Sequence, residues 1–443
     1  MTYRFTDTKM KKTITILAMA WAAFSRAQIP DEAKNLKAYI DRDMPKTVRV
    51  CTADTVGNFA LPYPFSVPCI VNGFQNMFYW DTYFTNVGLL LDGNTGQAKN
   101  NIDNILAMIE RFGYMPNATC EGMLNRSQPP YASMMVREVY EATRDKAWLA
   151  RACKALEKEY GFWMTRRMTP SGLNRYSNNA DKASLMAFYN YIVGRLGLNP
   201  AHYTDDEERC AVASHFLAEA ESGWDFNPRF DSRCEDHNPV DLNANLYAYE
   251  RNFAYFYKEL GLRGAKNWEK LAARRKALLD EMCLDPRDGL YYDYDYVNRR
   301  RSPVLSAAVF STLFAKLAGK KQARAIYRNL SRLECANGVA ACEKGDRRRV
   351  YQWDYPNGWA ALNYLAIKGL DSYGYRKAAR RIAGKYVHSM ADIYKRTGNL
   401  WEKYNAVSGS TDVKDEYAMP GAFMGWTAGV YICLLYTSPS PRD

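Results

Sequence analysis

The sequence predicts an all-α protein with a single domain, in which paired helices close into a toroid. Apolar residues recur at helical spacing in many segments, whereas the alternation typical of strands is nearly absent. No repeat of fixed length indicates a solenoid, and no Pro/Ser-rich linker divides the chain. About twelve helices without such a division favour a closed ring of helix pairs.

The helices are predicted from the apolar spacing, taken in order along the chain. Examples of such segments are 82–91, 98–113, 131–145, 148–166, 240–261, 268–283, 306–319, 359–370 and 375–398. Gly113, Gly261 and Gly398 stand at the ends of three of them, where a left-handed glycine commonly ends a helix. Only the segment 289–297, "GLYYDYDYV", is a strand candidate. The Pro-rich segment 58–74 is expected to be an ordered loop over one face.

The N-terminal residues have the pattern of a secretory signal peptide. Residues 10–27 combine a basic start, an apolar stretch too short to span a bilayer comfortably, and small residues at the end. We therefore interpret 1–27 as an upstream extension plus a signal peptide, and 28–433 as the folded domain. Residues 434–443 match nothing around them and are expected to be a non-native tail. The mature protein is expected to be secreted or periplasmic, without stable membrane insertion.

Charge and cysteine usage exclude two classes of function. The formal charge is +12, but the longest basic runs, 299–301 and 347–349, hold three arginines each, and no nucleic-acid motif accompanies them. We interpret these runs as a solvated basic surface and expect no nucleic-acid partner. The 10 cysteines lack CxxC spacing and the 4 histidines lack metal-ligand spacing, so no metal site is predicted. Isolated buried thiols are expected, with one disulfide at most.

A carboxyl group between two aromatic residues is the first candidate for chemistry. In "ESGWDFNPRF" (221–230), Asp225 lies between Trp224 and Phe226. Apolar surroundings raise the pKa of a carboxyl group, so Asp225 could hold a proton near neutral pH. The alternative is a helix-ending turn in which Asp225 is simply solvated.

Four further loops carry residues that bind sugars in proteins. Trp–Asp pairs occur at Trp80–Asp81 and Trp353–Asp354, and the segment 115–130 holds amides and an arginine. The fourth loop is "WEKYN" (401–405) followed by 412–430, which holds Glu416. Amides and carboxylates bind hydroxyl groups, while indole faces cover the C–H surfaces of a sugar. Together they predict a carbohydrate site. Two structural alternatives stay open: Asp81 as a helix cap, and Arg126 in an ion pair with Glu121 or Glu110.

These loops resemble the motifs of the trehalases, glycoside hydrolase family 37. The similar segments are "YWDTYF" (79–84), "LNRSQPP" (124–130), "SGWDF" (222–226), "QWDYPNGWA" (352–360) and "DEY…GWTAGV" (415–430). They occur in the family's order, and the resemblance runs from about residue 58 to 433. It implies an (α/α)6 barrel for the catalytic domain, inversion at the anomeric carbon, and no cofactor. The expected partner is a small carbohydrate substrate of a monomeric enzyme.

Residue roles follow from the same resemblance. Asp225 falls on the general acid and Glu416 on the general base, which in an inverting enzyme stand roughly 6.5–9.5 Å apart. The positions expected to bind substrate are Phe74, Trp80, Asp81, Asn117, Arg126, Gln128, Gly223, Trp353 and Asp354.

Departures from the family pattern keep the substrate open. Gly73 stands where the first signature has arginine, Phe78 stands where tyrosine is usual, and no R-P-E-S motif occurs in 172–200. The leading prediction is hydrolysis of α,α-trehalose to two glucose molecules. The alternatives are an exo-α-glucosidase related to family 63, a sugar-binding protein that has lost catalysis, and a toroidal lyase acting on acidic polysaccharide.

Overall fold

The computed structural model describes residues 31–347, 349–413 and 421–436. Within these ranges the α-helices are α1 Asp31–Asp43, α2 Tyr79–Leu91, α3 Thr95–Phe112, α4 Ala132–Thr143, α5 Lys146–Arg166, α6 Lys182–Leu196, α7 Asp206–Ser222, α8 Val240–Glu259, α9 Ala265–Met282, α10 Val309–Phe314, α11 Lys320–Arg328, α12 Ala360–Ser372, α13 Arg376–Thr397 and α14 Gly425–Leu435. The strands are β1 Val48–Arg49, β2 Phe65–Ser66, β3 His237–Asn238, β4 Tyr294–Asp295, β5 Arg300–Arg301, β6 Glu334–Cys335, β7 Gly338–Val339, β8 Asn357–Trp359 and β9 Lys403–Asn405.

Six helices form a closed inner ring. In order around the ring these are α2, α4, α8, α10, α12 and α14, and each contacts the next, with α14 returning to α2. The helices α3, α5, α9, α11 and α13 pack outside this ring, α1 lies against α13 and α14, and α6 and α7 pack on each other. The predicted all-α toroid with a single domain is confirmed. None of the described helices is long and apolar enough to cross a membrane.

The ring closes where α14 packs on α2. A Cβ atom added to Gly88 of α2 would lie 2.5 Å from the Cα of Gly429, and one added to Gly429 would lie 2.2 Å from the Phe84 carbonyl oxygen. No real side chain is accommodated at such distances, so glycine at both positions allows the two backbones to touch. This contact, hereafter the seam, joins an early helix to the last helix described.

The predicted helices are confirmed, with one shortened. The segment 306–319 forms a helix only over Val309–Phe314, because Lys316 takes a left-handed conformation with φ 56°. Helices α1, α6, α7, α11 and α14 lie outside the segments named from the sequence. The strand candidate 289–297 contributes only Tyr294–Asp295, in a three-stranded sheet. No disulfide joins any of the cysteines, all of which lie in the described ranges.

Candidate active site

The motif loops precede the N-termini of the inner helices, and their tryptophans meet there. Trp353 and Trp359 stack with ring centroids 3.6 Å apart, and Trp224 lies 5.1 Å from Trp353. Trp80 lies 5.7 Å from Trp353 and 5.6 Å from Trp426. All five indoles are buried. This indole cluster joins α2, α12, α14 and the turn after α7 at one end of the ring.

The Asp225 turn is fixed against the indole cluster by its backbone. Helix α7 ends at Gly223, whose φ of 71° is left-handed, and Phe226 also has a positive φ, of 60°. A Cβ atom at Gly223 would lie 2.8 Å from the Trp80 indole, so the turn packs directly on Trp80. The Phe226 carbonyl accepts a hydrogen bond from the backbone N–H of Trp353 at 3.2 Å. The turn therefore holds Asp225 beside both Trp–Asp motifs.

Burial raises the pKa of Asp225, as predicted from its aromatic neighbours. Three cations oppose this rise through their charge: Arg126, Arg195 and Lys403. The Arg195 guanidinium, from α6, also lies 4.6 Å from the centre of the Phe226 ring. The turn does end a helix, as the alternative supposed, but Asp225 is half-buried between the buried Trp224 and Phe226 and is not fully solvated.

Glu402 and Asp225 are both close enough to Asp81 for their charges to interact with it. Burial raises the pKa of Asp81 to about 8, and the negative charges of Glu402 and Asp225 contribute to this rise. The N-cap position of α2 is occupied by Phe78, so Asp81, which lies in the first turn, is not the N-cap residue. The site thus contains several buried carboxyl groups, and such a set favours the protonated form of at least one of them.

A buried lysine compensates this negative charge. Lys403 is inaccessible to solvent, its Nζ lies 3.4 Å from a Glu402 carboxylate oxygen, and it donates to Gln352 Oε1 at 3.1 Å. The ammonium group also lies 5.1 Å from the centre of the Trp359 ring. Strand pairing sets this arrangement, since Trp359 of β8 is opposite Lys403 of β9.

Glu402, Lys403, Gln352 and Arg195 were missed as site residues by the sequence reasoning. The loop "WEKYN" (401–405) was selected from the sequence, but the two charged residues inside this short aromatic segment were not named as site residues. A charged side chain in such a place is expected either to be solvated or to be paired in a site.

The loop 115–130 contributes one charged group and two structural amides. The Asn117 side-chain amide donates to the carbonyls of Ser127 and Ala220, and Gln128 Oε1 accepts the Trp80 backbone N–H at 3.1 Å. Both amides therefore hold the loop against α7 and the start of α2. These hydrogen bonds satisfy the two buried amide groups.

Arg126 faces the site and is not paired as the structural alternative proposed. Its charge interacts with Asp225 and Glu221, and burial lowers its pKa. No ion pair within the described ranges joins Arg126 to Glu121 or Glu110, and Glu110 pairs instead with Lys158. Arg126 Nη1 donates to Asn125 Oδ1 at 2.6 Å, while its Nε is buried and has no hydrogen-bond partner among the described residues.

Three predicted residues remain: Asp354 and Phe74, which contact neighbours of the motif loops, and Glu416, which is not among the described residues. Asp354 is buried and forms an ion pair with Arg347, with Nε 2.9 Å from Oδ2. Phe74 is half-buried, and its ring packs edge-on against Phe78 with centroids 5.1 Å apart. Glu416 lies in 414–420, outside the described residues. Within the described ranges, no cluster of three or more His, Cys, Asp or Glu side chains is arranged to hold a metal ion.

Comparison with known proteins identifies the family. The sequence model of the Trehalase family matches residues 3–438. A periplasmic trehalase from Xanthomonas campestris pv. campestris (strain B100) is 33% identical, over 92% of this chain and 74% of the relative. A trehalase from Tenebrio molitor is 27% identical, over 84% of this chain and 73% of the relative.

Solved structures agree with this result. Neutral trehalase Nth1 from Saccharomyces cerevisiae superimposes with a TM-score of 0.75 and 26% identity, covering 92% of this chain and 80% of that one. A GH63 mannosylglycerate hydrolase from Thermus thermophilus has the same fold, with a TM-score of 0.60 and 17% identity over 91% of this chain and 100% of that one. The chain therefore belongs to the trehalase family and is a glycoside hydrolase.

Proposed function

We propose that the protein hydrolyses α,α-trehalose to two glucose molecules with inversion at the anomeric carbon. The raised pKa of Asp225, in its buried aromatic turn, is the observation that carries this proposal. The names of the similar proteins from Xanthomonas, Tenebrio and Saccharomyces support trehalose as the substrate over another α-glucoside.

Asp225 would act as the general acid and Glu416 as the general base. Protonated Asp225 would transfer its proton to the glycosidic oxygen as the bond breaks. Ionised Glu416 would remove a proton from water attacking the opposite face of the sugar. These steps need only the two carboxyl groups and water.

The other predicted residues would position the sugar. Trp80 and Trp353 would present the indole cluster to the C–H faces, while Asp81 and Arg126 would bind hydroxyl groups. Phe74, Asn117, Gln128, Gly223 and Asp354 would shape the surrounding walls. The substrate would be a small carbohydrate, bound within one monomer.

We also propose that the protein is exported, with 10–27 as its signal peptide. Similar proteins from Xanthomonas and Pseudomonas aeruginosa are named periplasmic trehalases, which supports this location. Cell fractionation of the expressed full-length chain would test it. Activity recovered only in the cytoplasm, with residues 10–27 still attached, would overturn the proposal.

The test of the reaction is glucose release from trehalose, with the anomers followed by NMR at early times. Asp225→Asn and Glu416→Gln should each lose about 10²–10⁴-fold in kcat, the usual contribution of general acid–base catalysis. Asp371→Asn is the matched control, because this exposed carboxylate lies near the C-terminal end of α12, away from the motif loops. Wild type should form one α- and one β-glucose.

Three results would overturn the proposal in different ways. Cleavage of another α-glucoside in preference to trehalose would favour the exo-α-glucosidase. Binding of trehalose without any cleavage would favour a sugar-binding protein. Two glucose molecules of retained configuration would exclude the inverting mechanism.

A further inference from the structure

One buried carboxylate that the proposed mechanism does not use joins three segments beside Asp225. Glu221 lies in the last turn of α7, and its side chain is inaccessible to solvent. It accepts hydrogen bonds from the backbone N–H groups of Ser127 at 2.9 Å and Ser177 at 2.8 Å. It also accepts from Nε and Nη2 of Arg167, both at 2.7 Å. Each carboxylate oxygen thus binds one backbone N–H and one guanidinium N–H.

These hydrogen bonds fill the four acceptor positions of the Glu221 carboxylate. A sugar hydroxyl group would have to displace one of them, so any part that Glu221 plays in the reaction is indirect. The bidentate pair with Arg167 already compensates the charge. The two backbone hydrogen bonds do something further, since they fix the chain at Ser127 and Ser177 against the helix that leads to Asp225.

Ser127 is held to α7 by both polar groups of its backbone. Its N–H donates to Glu221, while its carbonyl accepts from the Asn117 side-chain amide, which also donates to the Ala220 carbonyl. Residues 220 and 221 lie at the end of α7, just before the turn that carries the predicted general acid. Because Arg126 directly precedes Ser127, its backbone is fixed relative to that turn.

The side chain of Arg126 leads back to the same ion pair. Arg126 Nη1 donates to Asn125 Oδ1 at 2.6 Å, and the Asn125 carbonyl accepts the backbone N–H of Asn179 at 2.6 Å. The Asn179 side chain in turn accepts from Arg167 Nη1 at 3.2 Å. Both the backbone and the side chain of Arg126 are therefore tied to the Glu221–Arg167 pair.

The Arg126 guanidinium depends on this arrangement at the point where it faces the site. Its charge interacts with that of Asp225. We propose that Glu221 is a positioning residue, whose carboxylate holds the Arg126 guanidinium beside Asp225 in the place where it binds the substrate. This role rests on the proposed function, in which Arg126 binds a hydroxyl group of trehalose.

A double-mutant cycle of Glu221→Gln and Arg126→Gln, measured as kcat/KM for trehalose, tests the positioning role. Glutamine has one acceptor oxygen, so at position 221 it cannot bind both backbone N–H groups. Each single variant should lose on the order of tenfold, the effect of one charged hydrogen bond. Because Glu221 acts through Arg126, the double variant should also lose on the order of tenfold, whereas independent effects would multiply to about a hundredfold.

Glu250→Gln is the matched control. Glu250 of α8 is a buried carboxylate that also pairs with a buried arginine, Arg275 of α9, whose Nη2 lies 2.8 Å from Oε1. This pair is separate from the motif loops, so Glu250→Gln should lower the free energy of unfolding but keep the kcat/KM of wild type. If Glu221→Gln alone is unstable, Glu221→Gln combined with Arg167→Gln replaces it in the cycle, because this variant leaves neither charge of the pair buried without its partner.

Two outcomes with an active wild type would overturn the positioning role alone. These are an unchanged kcat/KM in Glu221→Gln, and a loss of about a hundredfold in its combination with Arg126→Gln, as expected for a merely structural defect. A wild-type protein that does not cleave trehalose would instead overturn the proposed function, and the positioning role with it.

Discussion

Replacing Gly223 with alanine perturbs the contact between the Asp225 turn and Trp80. Two costs arise at this position. The residue has φ 71°, where an L side chain costs roughly 1–2 kcal/mol. In addition, the new Cβ would lie 2.8 Å from the indole, and overpacking of a filled core typically costs about 1–3 kcal/mol. Together they predict a loss of about 2–5 kcal/mol in the free energy of unfolding.

Gly398→Ala separates these two costs. Gly398 ends α13 as Gly223 ends α7, with nearly the same φ of 68°, but no described residue lies within 4 Å of the added Cβ. This control should therefore lose only about 1–2 kcal/mol. The difference between the two variants measures the contact with Trp80, and urea unfolding of both proteins provides it.

Activity gives a second readout of the same contact. A shifted Trp80 would move the adjacent Asp81, and a displacement near 1 Å in a site can cost on the order of 10²-fold. We expect kcat/KM for trehalose to fall by about 10–100-fold in Gly223→Ala and to stay unchanged in Gly398→Ala. Equal unfolding free energies for the two variants, with equal activities, would refute the reasoning.

Three other perturbations test the buried charges and the seam. Arg229→Gln leaves Asp241 and Asp293 buried without their cation, so it should cost about 3–5 kcal/mol in urea unfolding; a loss below about 1 kcal/mol would contradict this. Folded Asp81 keeps its proton to about pH 8 but ionises near 3.8 when unfolded, so its contribution to stability falls as pH rises between these values. The free energy of unfolding should therefore decline less steeply between pH 5 and 7 in Asp81→Asn than in wild type, by up to roughly 1.4 kcal/mol per pH unit. Urea unfolding at several pH values measures this slope, and an unchanged slope would show that the carboxyl group is not buried as described. Gly429→Ala should lower the thermal unfolding midpoint clearly, since the added methyl would meet the α2 backbone; a midpoint equal to wild type would mean that the seam is open.

The sequence allowed prediction of those parts of the fold that depend on local pattern. Helices with an apolar stripe, such as α3 and α13, were predicted to within a few residues, and their terminal glycines adopt the expected left-handed conformation. Helices α6 and α7 were missed for a physical reason. In α6 only Tyr189 and Ile192 are buried, and in α7 the buried residues are concentrated toward the C-terminal end, so neither helix has a continuous stripe.

Part of the candidate site could also be anticipated. Asp225 sits between aromatic residues in the sequence, and local burial is enough to predict the direction of its pKa shift. Lys403 and Arg195 could not be found this way, because they reach Asp225 only through the β8–β9 pairing and the packing of α6 on α7. The assignments of Asp225 and the surrounding residues to catalysis and binding stay predictions until the variants are measured.

The seam has a consequence for how the chain is made. More than 300 residues separate the end of α2 from the start of α14, and at about 5–20 residues per second their synthesis takes roughly 15–60 s. Throughout that time the face of α2 that will contact α14 has no partner, and its apolar side chains stay open to water or to other chains. Long-range closure of this kind is slow and leaves partly folded species prone to aggregation. We therefore expect the unfolded chain to depend on chaperones until α14 is available to pack on α2.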